Sequence, residues 1–274
     1  MNVVCVGDCG VDRYPDRDRP GGITLNFAVH ARRLFPPSDR IIVVSALGTD
    51  DEARVVTAAL DELPVEAFVV GVPGQTSIQT IDLEPSGEKI FVNYEQGVLG
   101  DYRVGAKERT LISEADLLMA PHYRQIDGFF DSVIHCPSRG LRAADFADIA
   151  EDPVTTNVEK YLDHFDIAFF GLSPTHTTLI DELHALAERA AKLFVVTLGP
   201  SGSQALSQEG RFTCPAAPAA KVVDTTGAGD TFAAAFLCEY TITRDVPASL
   251  RRGATEAATT IQHLGSFQAT PRGH

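Results

Sequence analysis

Short apolar runs rich in β-branched residues recur along the chain at 2–6, 41–45, 66–70, 116–119, 141–145, 166–170 and 193–197. Helix-like segments separate many of them, most clearly 25–34, 51–62, 127–135, 176–191, 229–240 and 246–264. Strands alternating with helices predict a parallel sheet covered on both faces, because parallel neighbours need a crossover and the helices supply it. At 274 residues and 44% apolar, the chain can bury one sizeable α/β core, with room for a small appendage.

One stretch breaks the rhythm. Within 75–97, Ile78, Thr80 and Asp82 alternate with Gln79, Ile81 and Leu83; a Pro85-Ser86-Gly87-Glu88 turn signal follows, then a second extended run from Ile90 to Tyr94. This predicts a hairpin inserted into the α/β chain. It reads as a lid over the core, a dimer contact or an extra edge hairpin. Residues 1–274 are therefore read as a single domain, and the tail from Ser266 is expected to be loose.

Charge and composition remove several function classes. The formal net charge is −14, with no basic block, which argues against nucleic acid as a partner. No run of about 18 apolar residues occurs, so no membrane-spanning helix is expected. The first residues read as a core strand rather than a signal peptide. Five scattered cysteines and eight histidines without HExxH or Cys/His ligand spacing predict no disulfide framework and no zinc site. A reducing, cytoplasmic setting follows as an expectation. There is no GxxxxGK[ST] loop and no GxGxxG after the first strand, which sets aside Walker-type nucleotidases and dinucleotide enzymes.

The chemical signal lies at 221–238. An extended run ends at Asp224, a Gly227-Ala228-Gly229 turn follows, and an apolar helix starts near Asp230. Without side chains, Gly227 and Gly229 let backbone amides approach a ligand closely. The first amides of a helix have no intrahelical acceptor, so such a turn suits an anion. Asp230 has two readings. An acidic residue in a first helical turn complements the dipole. In phosphoryl transfer, a carboxylate beside an anion-binding turn accepts the proton of the attacking hydroxyl.

The string Asp224-Thr225-Thr226-Gly227-Ala228-Gly229-Asp230 resembles the second signature of the ribokinase (PfkB) carbohydrate kinases. Gly7-Asp8 with Val11-Asp12 resembles that family's first strand and following sugar-contacting Asp. Gly21-Gly22 and Asn26 resemble its first signature, and Thr197-Leu198-Gly199-Pro200-Ser201-Gly202-Ser203 its turn near the nucleotide phosphates. The resemblance covers nearly the whole chain. It implies a three-layer α/β/α sandwich with a mostly parallel sheet and a small β-lid, whose strands fall within about 10–22 and 75–97. It also implies ATP and Mg²⁺ as cofactors and transfer to a sugar-type hydroxyl.

By the same resemblance, Asp230 is the base, and Gly227, Ala228, Gly229 and Asp230 supply anion-hole amides. Asp12, Gly22 and Asn26 hold the sugar. Thr197, Gly199, Gly202 and Asp224 line the nucleotide site, and residues 257–265, with Gly265, border the adenine. Local strings resemble fructoselysine 6-kinases and other kinases of glycated or amino-substituted sugars: Val11-Asp12-Arg13-Tyr14-Pro15, Asn93-Tyr94-Glu95-Gln96-Gly97-Val98, Ala144-Asp145-Phe146-Ala147-Asp148 and Thr260-Ile261-Gln262-His263. Tyr94 joins the substrate candidates on this basis, with stacking or lid packing as its two roles. His122, Tyr123, Phe146 and Asp148 follow strand ends and are candidate substrate contacts; Arg139 and Arg142 are candidate phosphate contacts.

Two departures stand out. Ile23 occupies the place after the Gly pair where the family usually has a polar residue. Across Gly171-Leu172-Ser173-Pro174-Thr175-His176 there is no Glu where the family places one to organise Mg²⁺, and no metal-ligating residue is assigned. A catalytically impaired nucleotide- or sugar-binding protein and a nucleoside kinase of the same fold are the alternative readings. A lid with an unpaired edge would make a natural homodimer contact.

Overall fold

The computed structural model describes residues 1–84, 88–148 and 154–267. The expected turn residues 85–87 and the tail from 268 fall outside the described residues. The elements run β1 (Asn2–Val6), β2 (Gly10–Tyr14), β3 (Arg17–Gly21), α1 (Ile23–Leu34), β4 (Arg40–Leu47), α2 (Asp51–Glu62), β5 (Glu66–Gly71), β6 (Ile78–Leu83) and β7 (Lys89–Glu95). They continue with α3 (Ala106–Ser113), β8 (Leu117–Pro121), α4 (Asp127–Ile134), β9 (Leu141–Asp148), α5 (Val154–Lys160), β10 (Ile167–Gly171), α6 (Thr177–Ala190) and β11 (Leu193–Thr197). The last are β12 (Ser203–Ser207), β13 (Gly210–Cys214), α7 (Ala228–Thr243) and α8 (Val246–Thr260).

Nine strands form the main sheet in the order β13-β12-β11-β10-β9-β8-β1-β4-β5. Pairing is parallel from β5 to β11, and β12 and β13 add an antiparallel edge. Side chains alternate between the faces of a strand, and β1 divides accordingly. Val3 and Cys5 join one core with Leu25, Phe27, Val56, Phe232 and Leu250 from α1, α2, α7 and α8. Val4 and Val6 join the other with Ile112, Phe129, Val158 and Ile180 from α3, α4, α5 and α6. The result is the expected three-layer sandwich. Each large side chain buried here contributes about 1.5–3 kcal/mol. Gly253 lets α8 come close to α7: a Cβ there would lie 2.9 Å from the Phe232 ring.

Some boundaries differ from the sequence reading. The last helix stops at Thr260 rather than running to 264, because the chain turns back and Ile261 offers its carbonyl to the Val223 N–H at 2.8 Å. Sequence periodicity did not reveal α3 and α5, which are short, or the β12–β13 hairpin, whose strands mix small and polar residues at an edge.

A separate four-stranded sheet, ordered β3-β2-β6-β7, occupies the two stretches around 10–22 and 75–97. Its β2–β6 pairing is parallel and the outer pairings antiparallel. The alternation expected in β6 is broken by a bulge between Thr80 and Ile81. Ile78 and Ile81 are therefore both buried, three residues apart.

The parallel strands end together at one edge, where Gly7, Pro121, Gly171 and Thr197 lie, and open α/β sheets bind ligands beyond that edge. Arg139 and Arg142 sit at the start of β9, on the opposite edge. Arg142 is hydrogen-bonded to the Ile134 carbonyl, and Arg139 pairs with Asp116 at 2.9 Å. They brace that end of the sheet and do not reach a phosphate at the other.

Candidate active site

The turn entering α7 depends on Gly227. Its φ of 77° lies in the left-handed region, and a Cβ there would sit 2.4 Å from Ser266 Cβ. Ala228 N–H donates to the Thr225 carbonyl at 3.2 Å, and Thr231 N–H donates to the Gly227 carbonyl at 2.9 Å. A Cβ on the exposed Gly229 would meet nothing within 4 Å. Open space thus lies against the first helical turn, where amides lack intrahelical acceptors and the dipole favours an anion.

Asp230 stands in that first turn, buried to 8% exposure. Asn26 Nδ2, from α1, donates to its Oδ2 at 2.8 Å. The Asn26 carbonyl oxygen in turn accepts the Ser266 hydroxyl at 2.6 Å, and His30 Nε2 donates to the Ser266 backbone carbonyl at 3.0 Å. Residues over two hundred positions apart thus fix one carboxylate in orientation. Burial lowers the His30 imidazole to about 4.

Asp224, fully buried, braces the same turn. Its Oδ1 accepts the Thr226 N–H at 2.8 Å, and its Oδ2 accepts the Gly265 N–H at 2.7 Å and the Tyr14 hydroxyl at 2.8 Å. The Tyr14 hydroxyl also lies 3.2 Å from Thr226 Oγ1. Tyr14 belongs to β2, so the small sheet is hydrogen-bonded to the turn. Its hairpin makes a second contact, Thr225 Oγ1 to Glu88 at 3.2 Å. Every carboxylate oxygen of Asp224 is engaged in holding the turn. Gly265 has φ 78°, another conformation suited to glycine.

Across the cleft, Gly22 immediately precedes α1 with φ 97°, and a Cβ there would lie 2.6 Å from the Asp8 carbonyl oxygen. Asp8 caps that helix: its carboxylate accepts the Ile23 and Thr24 N–H groups at 3.2 and 3.4 Å. Burial pushes the Asp8 carboxyl above its ordinary value, against the lowering effect of these bonds and of Tyr123. The Tyr123 hydroxyl reaches Tyr94 at 2.8 Å, with the rings edge-to-face at 4.9 Å. Tyr94 thereby ties β7 to the main body. Asp12 is buried on β2, and its carboxyl fills the space a Cβ on Gly21 would need. A cleft of about 630 Å³ opens beside Tyr94, lined by Gln75, Gln96, Tyr102 and Arg103.

Thr197 ends β11, and its hydroxyl donates to the Phe170 carbonyl at 3.3 Å. Gly199 (φ 54°) and Gly202 (φ 93°) shape the next turn; a Cβ on Gly202 would lie 2.2 Å from the Cys214 carbonyl oxygen. His176 is the N-cap of α6, and its Nδ1 is buried without a hydrogen-bond partner. Two substrate candidates belong to the core instead. Phe146 stacks on Phe170, while His122 packs between Phe130, Phe146 and Tyr161 and bonds Asp127 through Nε2 at 3.0 Å. For Asp148, only the backbone is described.

Tyr14, Asp8 and Ser266 carry functions the sequence did not reveal. Tyr14 follows Asp12 by two positions and so shares its strand face. Asp8 precedes its helix by many residues, and Ser266 lies beyond the last helix, so neither stands in a local capping pattern.

A model of the pfkB family of carbohydrate kinases matches residues 2–272. Fructoselysine 6-kinase of Escherichia coli (strain K12) is 29% identical over 96% of this chain and 98% of its own. Fructosamine kinase FrlD of Bacillus subtilis (strain 168) is 30% identical over 97% of this chain and 93% of its own. In fold, Arabidopsis thaliana ribokinase, solved with ribose and ATP, superimposes with a TM-score of 0.78 at 22% identity, covering 98% and 95% of the two chains. With the site's geometry and the whole-chain match in agreement, the protein belongs to the pfkB carbohydrate kinase family and is a phosphotransferase.

Proposed function

We propose that this enzyme transfers the γ-phosphoryl group of ATP to a hydroxyl of a glycated amine of the fructoselysine type. Asp230, oriented by Asn26 beside the open space at Gly229, carries this reading. Its carboxylate accepts the proton of the attacking hydroxyl as that oxygen bonds the γ-phosphorus and the bond to ADP breaks. The amides of Gly227, Ala228, Gly229 and Asp230 face the charge on the transferring group; Ala228 does so while bonded within the turn. Asp12, Gly22 and Asn26 hold the acceptor, with Tyr94 closing its far side. Thr197, Gly199 and Gly202 line the nucleotide, and Asp224 and Gly265 fix the border that the turn presents to it. The small sheet acts as a lid, excluding water that would compete as acceptor.

Asp12, Gly22, Asn26 and Asp230 do not line the cleft beside Tyr94, so support for an acceptor longer than a simple sugar comes from the whole-chain likeness to fructoselysine 6-kinase. Among the described residues, no group of three His, Cys, Asp or Glu side chains is placed to hold a metal. This donor set suits an Mg²⁺ brought in by the nucleotide and held by phosphate oxygens and water. Such an ion would neutralise phosphate charge. Five buried, unpaired cysteines fit a reducing, cytoplasmic setting. On the edge strand β7, Ile90, Phe91 and Val92 are 44, 54 and 60% exposed, which supports a homodimer formed through this sheet.

The test is ADP release with Mg–ATP across fructosyl-lysine, free hexoses and nucleosides. Fastest turnover with fructosyl-lysine is expected. Preference for a nucleoside would overturn the acceptor, and binding without turnover would return the inactive-binder reading.

A further inference from the structure

The small sheet carries three arginines among the described residues, and they differ in one respect. Arg13 pairs with Asp18 and Glu52, and Arg17 pairs with Asp16. The Arg19 side chain makes no hydrogen bond or ion pair among the described residues, feeling only the charge of the exposed Asp16, and its Nε is buried without a partner. An unpaired guanidinium N–H removed from water costs about 1–3 kcal/mol or more. A structure retains such a group where something else completes it.

The position of Arg19 is well defined. It lies directly opposite Asp12 in the β2–β3 pairing, so both side chains share a face, and Tyr14 shares it too. That face meets the catalytic turn, because Tyr14 bonds Asp224 there. The Arg19 stem lies over Gly265: a Cβ on that glycine would stand 3.1 Å from Arg19 Cδ and 3.6 Å from Nε. Gly265 N–H is bonded to Asp224, and Gly227 packs against the neighbouring Ser266. The guanidinium is thus held one residue from the brace of the anion turn. It does not pair with Asp224, whose oxygens are already taken by Tyr14, Thr226 and Gly265. The site also buries the carboxylates of Asp12 and Asp230, which repel an incoming polyphosphate.

We infer that Arg19 is a catalytic residue delivered by the small sheet, its free guanidinium edge binding the phosphate chain of the nucleotide at the transferring end. The inference rests on the kinase reading above and adds a ligand-touching group to it. A planar fork of N–H donors matches two phosphate oxygens at once, which a lysine does not reproduce. Because Arg19 rides on the sheet that covers the cleft, its charge reaches the phosphates when the cover is in place, so transfer is coupled to exclusion of water.

The test compares Arg19→Gln and Arg19→Lys with the unaltered enzyme by steady-state kinetics, and by calorimetric binding of a non-hydrolysable ATP analogue and of AMP. For Arg19→Gln, kcat falls about 10²–10³-fold, as on loss of one preorganised charge donor. ATP-analogue affinity weakens about tenfold, while AMP affinity and acceptor KM stay unchanged. Arg19→Lys recovers part of both losses. Unchanged kcat and analogue binding would overturn the inference. So would a rise in acceptor KM alone, which would place Arg19 on the sugar. Retained AMP binding shows that the variant is folded; if the Gln variant does not fold, the Lys variant, with kcat about tenfold down, decides alone. If the unaltered enzyme turns over no acceptor, the kinase reading fails, and the contrast between the ATP analogue and AMP still tests Arg19.

Discussion

In the turn at 224–230, Asp224, Thr225, Thr226 and Asp230 each have a named hydrogen-bond partner, drawn from α1, the small sheet and the loop after α8. The four-stranded sheet hydrogen-bonded to it is built differently. It has no second layer of its own; Val11 and Ile78 join the main core, and Ile90, Phe91 and Val92 face outward. The Arg19 stem lies against Gly265, and its Nε is buried without a hydrogen-bond partner. The turn is complete before substrate arrives, which is what electrostatic preorganisation requires. The sheet is completed by what it touches: the turn and, on our reading, the substrates and a second copy.

The largest effect should come from the turn's chemistry. Asp230→Asn should lower kcat about 10²–10⁴-fold while leaving the thermal midpoint and ATP affinity in place. A midpoint that falls with activity would mean that Asp230 serves the fold. Next is the turn's backbone. Gly227→Ala forces a Cβ against Ser266 at φ 77° and should cost about 3 kcal/mol in urea unfolding.

His30 comes third. Its imidazole is held near 4 by burial, below the ordinary 6.5, so the unfolded chain takes up the proton first. Its stability contribution is complete above about pH 6.5 and is lost as the pH falls towards 4. About 2 kcal/mol should disappear across that window, and His30→Gln should flatten the slope. Fourth, Tyr14→Phe leaves Asp224 short of one donor and uncouples the sheet from the turn, costing about 1 kcal/mol with a measurable drop in kcat. The smallest change in stability belongs to the outer edge. Val92→Lys should alter stability by under about 0.5 kcal/mol yet convert a dimer into a monomer by light scattering. An unchanged mass would remove this edge from the interface.

The same contrast explains what the sequence made legible. The strands of the parallel core announced themselves because residues buried on both faces form continuous apolar runs, as in 193–197. The turn was legible because its glycines, helix start and Asp230 are adjacent in sequence. Arg139 and Arg142 misled, since being near a strand says nothing about which end of it faces the site. Phe146 misled because β9 runs on to Asp148, which leaves it a buried strand residue, and His122, just past β8, turns inward to pack. Tyr14 and Ser266 act only through tertiary contacts, Tyr14 with a partner 210 positions away, the role we infer for Arg19 rests on such contacts too, and no local pattern encodes them.

The central claim is that Asp230 activates the acceptor hydroxyl, and a structure with fructosyl-lysine and a non-hydrolysable ATP analogue tests it most directly. The account predicts one acceptor hydroxyl within about 2.6–3.2 Å of the Asp230 carboxylate, with the terminal phosphate against the amides of Gly227, Ala228 and Gly229. An acceptor seated with every hydroxyl out of that reach, while Asp230 stays bonded to Asn26, would contradict it.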